Sequence, residues 1–130
     1  MKIFLGANIV FSASKKESAI SRFIIYLAKK HTVITSDYAE QEAYKNIVLK
    51  RPDWLSGYKE ITELIQVVPS IDCEISVEIA SKDRPIIATA ITQKCHFLIT
   101  GDKKDFGHLF GNKIKNLRIV TPLMMEDFIQ

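Results

Sequence analysis

Glycine, proline and cysteine are all scarce: the 130 residues include five Gly, four Pro and two Cys. With so few glycines there is no Gly-rich phosphate loop, which argues against nucleotide hydrolysis. Cys73 and Cys95 form no CxxC pair, and no His/Cys spacing suits zinc. They read as reduced structural thiols, the usual state in a chain with no secretion signal. Met1–Leu5 lacks the apolar core of a signal peptide. No stretch approaches the ~20 apolar residues of a membrane span. The expected location is the cytoplasm, with no membrane partner. Repeats, low-complexity tracts and linkers are also missing, so residues 1–130 read as a single domain.

What is present is ordinary globular material. Apolar residues make up 47% and charged residues 25%, which excludes a disordered chain. The net charge of +3 weakly favours a polyanionic partner, since the basic residues are scattered. Lys2–Leu5 reads as a buried strand ending in the turn Gly6-Ala7-Asn8. Ile20, Phe23, Ile24 and Leu27 give residues 17–30 a helical stripe, closed by Lys29 and Lys30. Residues 32–35 are β-branched and strand-like. Ser36 or Asp37 can cap a helix over 37–50, with Pro52 just beyond as a stop. A third helix is expected over 56–65 and a strand over 66–68. Residues 74–80 read as at least one helical turn. Asp83-Arg84-Pro85 opens a helix, residues 96–100 and 117–120 are strands, and 122–129 form a final helix. The alternation implies an α/β fold with a mainly parallel sheet of about four to five strands. In such sheets ligands collect at the carboxyl ends of the strands.

Acids gather at those ends. Glu42 lies in the helix after the second strand, Asp83 opens the helix before residues 96–100, and Thr100-Gly101-Asp102 with Asp105 follows that strand. Clustered carboxylates repel unless a cation or shared protons offset them. An all-oxygen set suits Mg²⁺ or Mn²⁺, which activate water for phosphodiester hydrolysis. Each acid also has a plainer reading. Asp83 fits a helix N-cap, Asp102 a turn residue, Glu42 a solvated helix residue and Asp105 loop surface. Asp37 and Glu40 are better read as acids at a helix start. The force lies in the joint pattern.

That joint pattern resembles the PIN-domain ribonucleases, especially the toxin components of toxin–antitoxin pairs (VapC-like). Lys2–Val10 is similar to the family's first motif, a strand running into Asp-x-Asn. Thr35–Glu42 is similar to the second, with Glu42 at the family's glutamate and Glu40 as the runner-up. Asp83–Ala90 is similar to the third, and Leu98–Asp102 with Lys104-Asp105-Phe106 to the fourth. The resemblance covers nearly the whole chain and implies a PIN-like three-layer α/β/α domain. It also implies a Mg²⁺- or Mn²⁺-dependent endoribonuclease, an RNA substrate, a cognate antitoxin and a homodimer. By position, Glu42, Asp83 and Asp102 would be metal ligands and Asp105 auxiliary. Asn8 would support the first motif, and Thr100, with Ser36, would supply orienting hydroxyls. Lys103 and Lys104 would contact RNA. The departure is Gly6, which stands where the family has aspartate and offers no side-chain oxygen. Either the site has degenerated naturally or the aspartate was removed from a toxic nuclease; retention of the other motif acids favours removal. Cleavage should be impaired in either case, with the fold kept.

Two other readings compete. One is a non-cleaving RNA- or protein-binding module, with Lys103, Lys104, Lys113, Lys115 and Arg118 as phosphate contacts. The other is a flavodoxin- or receiver-like domain, disfavoured because Gly6 and Asn8 occupy the place of its paired acids. Trp54, Leu55 and Tyr58 read as helix-hairpin packing, with an antitoxin or dimer contact as the alternative.

Overall fold

The computed structural model describes residues 1–129. Six strands form one sheet: β1 (Lys2–Leu5), β2 (Thr32–Ser36), β3 (Gln66–Val68), β4 (Phe97–Ile99), β5 (Lys113–Ile114) and β6 (Leu117–Val120). Their order is β3-β2-β1-β4-β6-β5, all parallel except β5, which pairs antiparallel with β6. The sheet is thus one strand larger than expected, because a two-residue hairpin loop after β5 adds an edge strand too short to show a sequence period. The order also excludes the flavodoxin-like arrangement, since β1 lies between β2 and β4 and β3 is an edge strand.

The chain moves outward from β1 to β2 and β3, then returns to β4 and moves the other way. The order reverses between β1 and β4, which pair in register with Phe4 opposite Leu98 and Leu5 opposite Ile99. The period of two divides the strands between two cores. Ile3, Leu5, Val33, Phe97, Ile99 and Val120 face one core, completed by residues of α1 (Ala7–Ala13), α2 (Ala19–Lys30) and α4 (Leu55–Leu64). Phe4, Ile34, Leu98, Leu117 and Ile119 face the other, under α5 (Arg84–Thr92) and the segment containing α6 (Lys103–Phe106). α3 (Asp37–Lys50) contributes Ala39 to the second core and Ala43 and Ile47 to the first. Each fully buried Leu, Ile or Phe contributes roughly 1.5–3 kcal/mol relative to exposure.

Several expected elements differ in detail. Gly6-Ala7-Asn8 is not a turn, because α1 begins directly after Gly6 and buries Ile9, Val10 and Ala13. The helix expected from residue 17 begins at Ala19, since Glu17 has φ of +66° and Ser18 caps the helix by accepting the Ser21 N–H. Residues 74–80 contain no helix. Their burial alternates instead, with Ile75, Val77 and Ile79 packed on the second core, so the governing period is two. The final helix shortens to α7 (Pro122–Met125), followed by a 3₁₀ turn over Glu126–Phe128. Trp54 packs against Phe11 with the rings tilted and their centroids 5.2 Å apart, Leu55 packs on the first core and Tyr58 is buried in it, as hairpin packing requires. No helix among the described residues is long and apolar enough to cross a membrane.

Candidate active site

The reversal between β1 and β4 leaves a crevice at the carboxyl ends of both strands. Gly6 leaves β1 with its N–H donated to the Ile99 carbonyl at 2.9 Å, which ties the two strand ends together. Gly6 is then the N-cap of α1, placing Asn8 in the first turn. Opposite, Thr100 leaves β4 buried at 2% exposure. Its hydroxyl accepts the Asp102 N–H at 3.2 Å and donates to Asn8 Oδ1 at 3.4 Å. Asp102 Oδ1 accepts the Asp105 N–H at 3.1 Å and so caps α6. One carboxylate therefore starts the helix that carries the next.

Asp83 arrives from the other side. It holds the N-cap position of α5, yet its side chain makes no capping bond. The plain helix-cap reading thus fails, and the carboxyl points elsewhere. Asp83, Asp102 and Asp105 each bring a ligand oxygen within 4.8 Å of the others. Asp83 Oδ2 is buried with no hydrogen-bond partner. Burial pushes the Asp83 carboxyl up to about 6, with the adjacent Asp105 carboxylate adding to the rise. Asp105 moves the other way, held below the usual carboxylate range by the Lys82 ammonium.

Gly6, Asn8, Glu42, Asp83, Thr100 and Asp102 line one small cavity of about 50 Å³. Asp105 joins through the carboxylate cluster. Glu42 is exposed on the rim and lies outside that cluster, while Glu40 does not line the cavity. Ser36 departs from the orienting role expected of it. Its hydroxyl is fully buried and accepts the Ala39 N–H at 3.1 Å, capping α3. Asp37 accepts from Ser70 and Tyr38, which ties the start of α3 to the chain after β3. Lys103 and Lys104 are exposed on α6, and only Lys104 lines the open groove of about 740 Å³ beside Asp105.

Sequence reasoning missed Lys82. Its Nζ lies 2.7 Å from Asp105 Oδ2 and 3.7 Å from Asp83 Oδ2, so an ammonium already offsets part of the cluster's charge. Arg84 and His108, which line the same open groove, were also missed. Adjacency of Lys82 and Arg84 to Asp83 was the available signal; nothing local marked His108.

No family model matches the sequence, and no curated protein matches it. Solved structures do match. A chain of VapBC2 from Rickettsia felis, solved with a DNA fragment from its promoter, aligns at TM-score 0.67 and 20% identity, covering 93% of this chain and 98% of that one. VapBC-1 from nontypeable Haemophilus influenzae aligns at 0.61 and 16% identity, covering 95% and 99%. VapC20 of Mycobacterium tuberculosis, a sarcin-ricin loop cleaving toxin, aligns at 0.55 and 13%, covering 78% and 91%. Fold and strand order define an α/β domain with an acidic crevice at its sheet reversal. More particularly, the fold is VapC-like, of the PIN-domain type.

Proposed function

We propose that this chain is built as a divalent-metal-dependent endoribonuclease of the toxin type, and that Gly6 leaves its cleavage weak or absent. The observation that carries the reading is the meeting of three carboxylates beside Gly6, one with a buried oxygen that makes no hydrogen bond. Such a donor set fits a hard cation: all ligands are oxygen, and a buried carboxylate oxygen without a hydrogen bond is costly unless something binds it. Glu42, Asp83 and Asp102, with Asp105 beside them, would hold Mg²⁺ or Mn²⁺. When bound, the ion supplies Lewis-acid polarisation of a phosphodiester and acidifies water.

The chain's own residues do the remaining work. Thr100 fixes Asp102 through its N–H, and Asp102 fixes Asp105, so the cluster is ordered before any ligand arrives. Asn8 holds the Thr100 hydroxyl in place. Lys103 and Lys104 supply phosphate contacts at the rim. A cavity of about 50 Å³ admits an ion and little more, so RNA would lie in the open groove alongside. Gly6 contributes no oxygen where the aspartate of the first motif would stand. A cognate antitoxin, a second copy of the chain and a cytoplasmic setting belong to the same reading.

One observation favours a non-cleaving binding module instead: Lys82 already neutralises part of the cluster without a metal. Cleavage of a mixed RNA by this chain and by Gly6→Asp, with Mn²⁺ and with EDTA, separates the two. Cutting by the aspartate form alone, stopped by EDTA, is expected. Inactivity of both folded forms would favour the binding module.

A further inference from the structure

The opposite edge of the sheet carries a second charged feature. A cavity of about 640 Å³ opens where β4 and β6 begin, lined by Lys94, His96, Lys113, Lys115 and Asn116 over a floor that includes Cys95 and Leu117. No carboxylate lines it, and none of the three lysines forms an ion pair among the described residues. The Lys2 N–H donates to His96 Nδ1, which leaves Nε2 of the neutral ring as a donor. Every ionisable group lining the cavity is therefore a cation or a donor.

The backbone adds an independent observation. Lys94 has φ of +59° and Lys115 has φ of +56°. Lys94 ends α5 in a Schellman motif: its N–H donates to the Ile91 carbonyl, and the Cys95 N–H to Ala90. Glycine is the usual residue at that left-handed position. Lys115 opens the two-residue loop between β5 and β6, where positive φ again favours glycine. At both places the chain keeps a lysine where glycine would remove strain, and both lysines line the same cavity. Strain retained at two positions of one cavity points to a use for the side chains.

We propose that this cavity binds phosphates of the same RNA strand that reaches the acidic crevice, a reading that rests on the nuclease function proposed above. α5 links the two places. Arg84 at its start lines the groove beside Asp105, and Ile91 near its end lines the basic cavity. Nine helical residues span roughly 13 Å, a distance a few nucleotides bridge. The basic residues thus divide into two groups: Lys104 serves the reacting end, and Lys94, Lys113 and Lys115 anchor the strand farther along.

The test is binding of a labelled, mixed-sequence single-stranded RNA in EDTA, measured across salt concentrations. The variants are Lys94→Gly with Lys115→Gly, and separately Lys113→Gln at an ordinary strand position. The glycine pair should fold at least as stably as the parent by thermal melting. It should weaken RNA binding about tenfold and flatten the salt slope by about 1.4, since each lost single-strand phosphate contact removes about 0.7. Lys113→Gln should flatten it by about 0.7. Unchanged affinity and slope in both would overturn the proposal. So would loss of polyglutamate or inorganic phosphate binding with RNA binding intact, because the cavity would then take another anion. Cleavage by Gly6→Asp with an unchanged slope sinks this inference alone. A reduced slope without cleavage by Gly6→Asp sinks the nuclease reading alone.

Discussion

Gly6 adopts φ −68° and ψ 162°, an extended conformation open to any residue, so the backbone does not require glycine there. An ideal Cβ would sit 3.3 Å from Asn8 Oδ1, 3.4 Å from Thr100 Cβ and 3.4 Å from the Ile99 carbonyl oxygen, close contacts that require a shift of a few tenths of an ångström. Replacing Gly by Asp at an N-cap is worth a few tenths of a kcal/mol. Repulsion from a neighbouring carboxylate ~5 Å away is about 1 kcal/mol even in water. Repulsion therefore wins. Gly6→Asp is expected to lower the melting temperature by a few degrees in EDTA and to raise it above the parent's in Mn²⁺, which thermal scans check. Asp83 makes a prediction of opposite origin. Its folded pKa is about 6 against an ordinary 3.8, so the protonated form favours the fold. That stability is fully present below pH 4 and is lost as pH rises through 6. In EDTA, Asp83→Asn should stabilise the protein at pH 7 by about 1 kcal/mol, discounted for solvent access, and should do nothing at pH 3.5. Urea titrations at the two pH values decide it; equal effects at both would remove the burial argument.

Among the elements, α1 and α3 show what positions the crevice. α1 has seven residues, below the length at which isolated helices persist, so packing holds it. Part of that packing comes from α4, where Gly57 meets the end of α1 so closely that a Cβ would lie only 1.9 Å from the Ser14 carbonyl oxygen. Gly57→Ala should cost about 2 kcal/mol or more, because backbone must move. Since α1 carries Asn8, Mn²⁺ binding should weaken with it; calorimetry on the variant reads both effects. Ser36→Ala removes the buried cap of α3 and should cost about 1 kcal/mol while leaving Mn²⁺ binding unchanged, since its hydroxyl faces the helix end. Weakened ion binding in Ser36→Ala would return that hydroxyl to the crevice. These boundaries were partly legible. β1, β3, β6 and α3 follow their sequence periods to the residue, whereas α1 hid behind Gly6-Ala7-Asn8, whose turn-like composition gave no sign of the helix that burial enforces. Residues 74–80 form no helix, because Ile75, Val77 and Ile79 pack at a period of two, and the four-residue step from Ile75 to Ile79 is one that a helix shares.

Across the whole molecule, the reversal of strand order between β1 and β4 brings residues 6, 8, 83, 100 and 102 to one place. The central strands β1 and β4 sit between two cores, while residues 71–80 lie outside the helices and strands. Amide exchange should therefore be slowest in Ile3–Leu5 and Phe97–Ile99 and fast through residues 71–80. Comparable protection of both regions would mean that the segment over α5 belongs to the cooperative core. Cys95 is buried at the foot of β4, its thiol pushed up to about 11 by burial, so it stays neutral and unreactive at physiological pH.

The sequence alone determined the α/β class, the parallel crossovers, the positions of most elements and the identity of the acids, because local periods and strand-end residues are properties of short stretches of chain. Only the tertiary structure decided which of those acids meet. Asp83 and Asp105 touch because α5 and α6 begin on the same side of the reversal, and Glu42 stays at the rim because α3 presents it to solvent. It also revealed Lys82 as the counter-charge of the cluster, and it gathered Lys94, Lys113 and Lys115, scattered over 22 positions, into one cavity. Contacts between residues so far apart depend on strand order, and strand order is written in no single segment.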